Sequence, residues 1–342
     1  MNRKTIIQKI RRNPILIDVH THVGTDPASY QRGDFPYAQS AEDLIVRMDR
    51  WGVDTAVCFP FLYTTYYDKR AYLNGRIRKS RSDCSPAPYV NENRRICEEI
   101  YEAYPLCAGR LLPFGFFDAS RNQTEQVKAL HELADQYPLF GLKTASSYTQ
   151  SPITDLLGKG ERLVDFASEH DIPFMLHTAV VPDDPWANVF DILKVVKARP
   201  DVRFCLAHTC RFDRNALEQA NELPNCFVDL SAFTIHCDLV QQNSPAVAAK
   251  PQRFPAPYTQ PAKVMQKLAD AFTQTMLWGT DTPAYCWMSR FTNAAGETKI
   301  MQLKCDTDAE INTFKKLPEK TRQRIGYDNT ISYLFDNNHK GK

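Results

Sequence analysis

The sequence predicts an α/β protein whose eight parallel strands close into a (β/α)8 TIM barrel. Short apolar runs rich in β-branched and aromatic residues recur along the chain, and they alternate with segments in which apolar residues follow a helical spacing. Several runs are almost continuously hydrophobic, as expected for strands that are covered on both faces. A length of 342 residues suits a single barrel domain, which we expect to span residues 1–342.

Eight apolar runs are predicted to be the barrel strands. They are Ile15 to Val19, Thr55 to Pro60, Leu111 to Phe117, Phe140 to Thr144, Pro173 to His177, Arg203 to His208, Cys226 to Leu230, and Met276 to Thr280. Helical spacing is found in Ala41 to Trp51, Asn91 to Tyr104, Gln123 to Gln136, Glu161 to His170, and Ala262 to Phe272. Eight such units favour a closed barrel, although periodicity alone leaves an open doubly wound sheet as the alternative.

Two long connections interrupt this alternation. The first, Phe61 to Val90, follows strand two, and the second, Ser231 to Gln260, follows strand seven. Connections that leave the carboxyl ends of barrel strands build the active-site face, so both long loops are candidate walls of a pocket.

Composition excludes several classes of protein. The 42 basic and 40 acidic residues nearly balance, which argues against a nucleic-acid binder. No apolar run reaches the roughly 18 residues of a membrane-spanning helix, and Pro14 to Val19 is too short for the core of a signal peptide. The ten cysteines are scattered, and we expect Cys58, Cys205 and Cys226 to be reduced and buried. These features predict a cytoplasmic protein that does not enter a membrane.

Histidines and one aspartate lie at the ends of predicted strands. His20 and His22 follow the first apolar run, and a strand's period of two places both side chains on one face. His177 ends the fifth run, His208 ends the sixth, and Asp281 follows the eighth. In a barrel these strand ends meet at one mouth. The alternative interpretation is a set of hydrogen-bonded histidines and a turn aspartate.

Imidazoles and a carboxylate are a common ligand set for one divalent ion. They favour Zn²⁺, and Mn²⁺ or Fe²⁺ remain alternatives. Such an ion activates water as a nucleophile or polarises a substrate oxygen, and either reaction needs a nearby proton acceptor. Asp281 and His208 are the candidates for this role.

The motifs resemble those of the amidohydrolase superfamily, in its amidohydrolase-related branch, which also contains enzymes similar to aminocarboxymuconate semialdehyde decarboxylase. The resemblance covers most of the chain and is carried by Asp18 to Gly24, Gly141 to Lys143, Leu176 to Thr178, Ala207 to Thr209, and Trp278 to Pro283. It implies that His20, His22, His177 and Asp281 bind one metal ion. It also implies that His208 orients or deprotonates water or substrate, and that Asp281 shuttles a proton in hydrolases.

Lys143 has two interpretations under this resemblance. In two-metal relatives a carboxylated lysine at this place bridges the ions, and His208 would then become a ligand. The favoured interpretation is an ordinary ammonium that lines the barrel mouth and binds a substrate oxygen or an acidic side chain.

Substrate contacts are predicted for Arg211 and Tyr63. Arg211 follows His208 by three residues and is the leading candidate for binding a substrate carboxylate. Tyr63 belongs to an insertion in which tyrosines alternate with cations, a composition that suits an aromatic or carboxylated small molecule. Solvated loop surface, or an interface between two copies of the chain in a homodimer, is the alternative for that stretch.

The leading functional hypothesis is hydrolysis of a small-molecule amide, lactone or ester-like bond by metal-activated water. Non-oxidative decarboxylation of an aromatic or unsaturated carboxylic acid is the second hypothesis, because it uses the same ligand frame. A metal-dependent nuclease is disfavoured by the balanced charge and by Lys143 at the end of strand four. A non-catalytic barrel that keeps its metal as a brace, or that binds a ligand as a sensor, is the remaining alternative.

Overall fold

A computed structural model gives the fold of the chain. The structure describes residues 2–25, 38–61, 68, 70–71, 74, 78, 87–182, 184–283, 288–292, 298–302 and 307–336. Within this part of the chain, no helix is long and apolar enough to cross a membrane.

Eight parallel strands form the central sheet in sequential order. They are β1 (Ile17–Thr25), β2 (Thr55–Pro60), β3 (Leu111–Phe116), β4 (Gly141–Thr144), β5 (Phe174–Leu176), β6 (Phe204–Leu206), β7 (Cys226–Asp229) and β8 (Met276–Leu277). The short strand Ala38–Gln39 pairs antiparallel with the end of β1. Met288–Thr292 and Thr298–Gln302 form a separate antiparallel hairpin. All eight predicted strands are confirmed, and most of them are shorter than the apolar runs.

Backbone hydrogen bonds join the segment that follows β8 to β1. The amide of Val19 donates to the carbonyl of Trp278 at 3.2 Å, and the amide of Asp281 donates to the carbonyl of His20 at 2.7 Å. A third bond runs from the amide of His22 to the carbonyl of Thr282 at 2.8 Å. The sheet is therefore closed, as the barrel prediction requires.

Helices cover the outside of the barrel, except that Arg3–Arg11 and Asn329–Phe335 pack against the interior cluster. The α-helices are Arg3–Arg11, Ala41–Trp51, Val90–Glu98, Gln123–Gln136, Ser146–Thr149, Glu161–Glu169, Val189–Ala198, Arg214–Glu222, Phe233–Gln241, Pro261–Ala271, Thr307–Lys315, Glu319–Gln323 and Asn329–Phe335. The predicted helix Asn91 to Tyr104 ends differently, because its second half is the π-helical turn Glu99–Ala103. A capping box at Ser40 and Asp43 begins the Ala41–Trp51 helix, and Gly52 ends it in the left-handed region.

Two apolar layers hold the barrel together. Alternate strand residues such as Val57, Phe114 and Phe227 fill the interior. Their neighbours in sequence, such as Cys58 and Val228, pack outward against the helices. Cys58, Cys205 and Cys226 are buried free thiols, as expected.

The two long connections have different outcomes. Most of Phe61 to Val90 lies outside the described residues, and so does Tyr63. Ser231 to Gln260 was expected to be a long loop, but it contains the helix Phe233–Gln241. Residues 242–260 are irregular and lead into the helix Pro261–Ala271.

Gly141, the first residue of β4, is required by the interior packing. A Cβ atom there would lie 2.3 Å from the Phe114 ring on the neighbouring strand. We expect Gly141→Ala to destabilise the fold by about 1–3 kcal/mol through overpacking. Urea unfolding measures this change. In a Phe114→Leu background the same substitution should cost clearly less, and an equal cost in both backgrounds would contradict the proposed clash.

Candidate metal centre and active site

His20 and His22 both lie within strand β1, because this strand continues to Thr25 rather than ending at Val19. Its pairing with β2 shifts register between Asp18 and Thr21, where three steps along β1 match two along β2. This β-bulge changes the side-chain alternation. Ile17 and Val19 therefore face the interior below the bulge, and His20 and His22 face it above.

Three side chains that could hold a metal ion meet at the mouth of the barrel. The His20 Nε2 atom lies 3.2 Å from Asp281 Oδ1, and the His22 Nε2 atom lies 3.1 Å from the same oxygen. Donor atoms of all three residues lie within 4.8 Å of one another. Two ligands of a tetrahedral zinc ion are about 3.3–3.4 Å apart when each metal bond is about 2.0–2.1 Å long. The donor set therefore fits a divalent ion after small adjustments.

The environment favours the metal-binding forms of His22 and Asp281. Burial lowers the pKa of His22 and keeps its imidazole neutral. Burial opposes the charge on Asp281, but His20 and His22 outweigh it and hold the pKa of Asp281 well below its usual range. Among the described residues, the buried Nδ1 atom of His22 has no hydrogen-bond partner. Phe59 packs edge-on against both imidazoles, with ring centroids at 4.9 and 5.4 Å.

Asp229, the last residue of β7, orients His20. Its Oδ2 atom accepts a hydrogen bond from His20 Nδ1 at 2.8 Å, which directs Nε2 towards Asp281. Burial and Lys143 oppose protonation of His20, but the carboxylates of Asp229 and Asp281 raise its pKa. A metal ion must therefore compete with a proton for Nε2.

The remaining oxygen of Asp229 organises the next strand end. Asp229 Oδ1 accepts hydrogen bonds from the His208 amide at 2.8 Å, the Ser231 amide at 3.0 Å and the Ser231 hydroxyl at 2.6 Å. Four hydrogen bonds thus satisfy this buried carboxylate when the His20 bond is included, and Thr209 Oγ1 donates to the backbone carbonyl of Asp229 at 3.4 Å. The site depends on Asp229 although sequence reasoning did not select it. The signal available was a charged residue inside the apolar run Cys226 to Leu230.

Residues His208 to Phe212 form a left-handed turn. All five have φ between 48° and 62°, and none is glycine. Such a conformation costs roughly 1–2 kcal/mol per residue. A 3₁₀ turn aligns side chains three residues apart, so His208 and Arg211 lie on the same face and both reach His177.

A directed chain of hydrogen bonds connects Arg211 to Asp229. Arg211 Nη2 donates to His177 Nε2 at 2.8 Å, and His177 Nδ1 then donates to His208 Nε2 at 3.1 Å. His208 Nδ1 donates to Ser231 Oγ at 3.0 Å, and Ser231 donates to Asp229. A guanidinium only donates and a carboxylate only accepts, so every proton in the chain has one position when both histidines are neutral. Burial lowers the pKa of both histidines well below the usual range.

The assignment of His177 as a metal ligand stays a prediction. It does not belong to the group formed by His20, His22 and Asp281, whose donor atoms lie within 4.8 Å of one another. Its Nε2 atom accepts from Arg211, and its Nδ1 atom lies against His208. A metal ion at His177 would have to replace one of these contacts.

Arg211 is partly buried at the mouth, beside a histidine that sequence reasoning missed. His236, on the helix Phe233–Gln241, accepts a hydrogen bond from Arg211 Nη1 and donates from Nδ1 to the carbonyl of Ala232 at 2.7 Å. Arg211 Nε donates to the carbonyl of Thr178 at 2.7 Å. Within the part of the chain that the structure describes, Arg211 forms no ion pair with a carboxylate at salt-bridge distance, and its pKa is lowered by burial.

Lys143 projects from β4 into the same interior. Its Nζ atom lies 3.4 Å from His20 Nε2 and 4.9 Å from the centre of the Phe59 ring. Burial lowers the pKa of Lys143 to about 8. Asp18 is buried beneath the mouth, accepts from the amides of His20 and Thr280, and has a pKa raised to about 7 by burial.

One protein family matches most of the chain. The model of the amidohydrolase family matches residues 17–332. No curated protein matches. A structure of an amidohydrolase from Burkholderia multivorans with bound HEPES aligns with a TM-score of 0.59 at 13% identity, covering 94% of this chain and 99% of that chain.

Two other similar structures have related architectures. A proposed 2-pyrone-4,6-dicarboxylic acid hydrolase from Pseudomonas putida has a TM-score of 0.55 at 14% identity, with 94% of this chain and 98% of that chain covered. Dihydroorotase from Saccharomyces cerevisiae, in complex with 5-fluoroorotic acid, has a TM-score of 0.57 at 13% identity, with 94% and 84% covered. These likenesses support the TIM-barrel fold.

Asp229 offers a direct test of the site's geometry. We expect Asp229→Asn to weaken metal binding about 10–100-fold, because the outer carboxylate fixes the orientation and basicity of His20. Competition with a chromophoric chelator measures the affinity. Ser231→Ala is the matched control, since it removes one donor to Asp229 and leaves the His20 bond intact. Equal losses in both variants would contradict the role given to Asp229.

Proposed function

Because the chain belongs to the amidohydrolase family, we propose that it is a metal-dependent hydrolase. Its substrate is a small molecule with an amide, lactone or ester-like bond. The observation that carries this proposal is the convergence of His20, His22 and Asp281 on one point at the mouth of a closed barrel. A divalent ion held there, with Zn²⁺ favoured and Mn²⁺ or Fe²⁺ as alternatives, would lower the pKa of water and polarise the scissile carbonyl.

Asp281 and His208 are the proposed catalytic residues. Asp281 is a carboxylate at neutral pH because its pKa is held low, and both histidines contact its Oδ1 atom, so the Oδ2 atom is the oxygen proposed to accept a proton. His208 is neutral, and the hydrogen bond to Ser231 fixes its orientation. His177 lies between His208 and Arg211 and can complete the metal site when Arg211 turns to a substrate. Lys143, beside His20, is placed to bind a substrate oxygen as an ammonium.

A carboxylate on the substrate is the proposed partner of Arg211. The guanidinium is partly buried at the mouth, and among the described residues it contacts two neutral imidazoles and a carbonyl oxygen rather than an acid. Burying an unpaired charge is costly, and a substrate carboxylate would neutralise it with bidentate geometry. Names of two structural neighbours also mention carboxylic acids, namely 2-pyrone-4,6-dicarboxylic acid and 5-fluoroorotic acid.

Decarboxylation is the second candidate, and the Arg211 environment is the observation that favours it. A decarboxylase needs a carboxylated substrate held in a buried, water-poor site, and a positive group near the mouth meets that need. The same residues would then orient an aromatic or unsaturated acid instead of a hydrolysable bond. The buried free thiols and balanced charge support a cytoplasmic location for either enzyme.

The metal and catalytic assignments predict a loss of bound metal in one variant and a loss of activity in another. We expect the double variant His20→Ala/His22→Ala to contain one equivalent of metal less than the wild-type protein, as measured by elemental analysis. Asp281→Asn should lower kcat/KM at least about 100-fold, because it removes a ligand charge and a proton acceptor. Asp191→Asn, on the surface helix Val189–Ala198, is the matched control and should keep full activity.

Parallel assays separate the candidate reactions. The metal-loaded protein is incubated with lactones and cyclic amides while acid release is followed, and with unsaturated carboxylic acids while carbon dioxide is followed. Carbon dioxide release without hydrolysis would replace the hydrolase proposal by the decarboxylase. Bound metal without turnover of any of these compounds would favour the non-catalytic barrel, and undiminished turnover in Asp281→Asn would contradict the catalytic role of Asp281.

The carboxylate preference has its own test at Arg211. We expect Arg211→Met to lower kcat/KM about 10–100-fold for a carboxylated lactone, the size of a lost charge-assisted hydrogen bond. The uncharged carboxamide analogue of that lactone should lose much less. An equal loss for both compounds would show that Arg211 acts through the positions of His177 and His236 and not through the substrate charge.

A further inference from the structure

A second group of side chains that could hold a metal ion lies outside the barrel, on two helices of its outer layer. His131 belongs to the helix Gln123–Gln136, which precedes β4, and Glu169 and His170 end the helix that precedes β5. Both helices run back towards the amino ends of the strands, because each connects the end of one parallel strand to the start of the next. The group therefore lies towards the face opposite the proposed active site.

The geometry of this group fits a transition-metal ion. His131 Nδ1 and His170 Nε2 are 3.2 Å apart, close to the about 3.3–3.4 Å that separates two nitrogen ligands of tetrahedral zinc. A carboxylate oxygen of Glu169 lies within 4.8 Å of a ring nitrogen of each histidine. The two imidazoles are half-buried, whereas Glu169 is exposed and free to close the remaining distance.

Packing fixes the two imidazoles before any ion binds. Phe166, on the same helix as Glu169, contacts the His131 ring edge-on at 4.8 Å and the His170 ring at 4.3 Å between centroids. A preorganised pair loses less side-chain entropy on binding a ligand.

Charge in the surroundings also suits a cation. Glu169 and Asp135 place negative charge near His170, and Asp135 lies one helical turn after His131. Arg3, from the first helix, is the opposing positive group.

We propose that His131, Glu169 and His170 form a second site for a divalent transition ion of the zinc type. Two imidazoles and one carboxylate are a ligand set that Zn²⁺ prefers, with water in the fourth position. The ion links two neighbouring helices of the barrel's outer layer and stabilises the folded chain, since these ligands converge only after folding. The proposal is independent of the proposed function, because it shares no residue with the site at the mouth.

Zinc titration of two variants tests this second site. Chelator-treated protein is titrated with Zn²⁺ by calorimetry, and Co²⁺ absorption reports the coordination of each site. In a His20→Ala/His22→Ala background, which lacks the pair at the mouth, we expect one equivalent of ion to bind still. Adding His131→Ala and His170→Ala should remove that equivalent and the rise in Tm that Zn²⁺ produces. Glu132→Ala, which removes the neighbouring exposed acid, is the matched control and should change neither.

The outcomes separate the two sites. Wild-type protein that binds two equivalents, with one lost in each double variant, supports both sites. Loss confined to His131→Ala/His170→Ala supports the second site and contradicts the metal centre at the mouth. Unchanged stoichiometry and unchanged Co²⁺ absorption in folded His131→Ala/His170→Ala protein would overturn the second site. Circular dichroism shows whether each variant is folded.

Discussion

The hydrogen bonds of the buried Asp229 carboxylate are the interactions on which the rest of the site depends. One oxygen accepts from the His20 imidazole, and the other accepts from the amides of His208 and Ser231 and from the Ser231 hydroxyl. Burial alone would raise the pKa of Asp229, but these donors, with His20 foremost, lower it. A charge removed from water is stable only when its hydrogen-bonding capacity is filled. The same contacts that stabilise the charge therefore set the positions of the ends of β6 and β7 relative to β1.

This anchor explains why the mouth tolerates strain. The left-handed turn from His208 to Phe212 costs several kcal/mol at roughly 1–2 kcal/mol per residue. Its first amide is held by Asp229, and the carbonyl of Phe212 accepts from the amide of Phe254 at 2.9 Å. Strain of this kind persists where surrounding contacts over-determine the backbone, and it commonly lies at functional sites. Here it places a neutral imidazole and a guanidinium on one face of a single turn.

The sequence predicted the barrel well because strand burial is a local property. Apolar runs and helical spacing identified all eight strands, and strand ends identified His20, His22 and Asp281 as neighbours. Two features could not be predicted in this way. A one-residue bulge at Asp18 to Thr21 leaves the composition of the run unchanged but reverses which face the later residues occupy. Asp229 was overlooked because its partners, His20 and His208, are distant in sequence and the Asp229 environment exists only in the closed barrel. The single-domain assignment stays a prediction.

Under the proposed function, competition for His177 would connect metal binding to substrate binding. Arg211 donates to the Nε2 atom of His177 at 2.8 Å, so the lone pair that would bind a metal ion is already occupied. A substrate carboxylate is a stronger acceptor than a neutral imidazole, because the hydrogen bond is assisted by charge on both partners. When Arg211 turns to such a substrate, His177 Nε2 is released. Carboxylate binding and recruitment of His177 to the metal would then favour each other, and linkage requires that the coupling be equal in both directions. Under this arrangement Arg211→Met would strengthen metal binding in the absence of substrate while weakening the binding of carboxylated compounds.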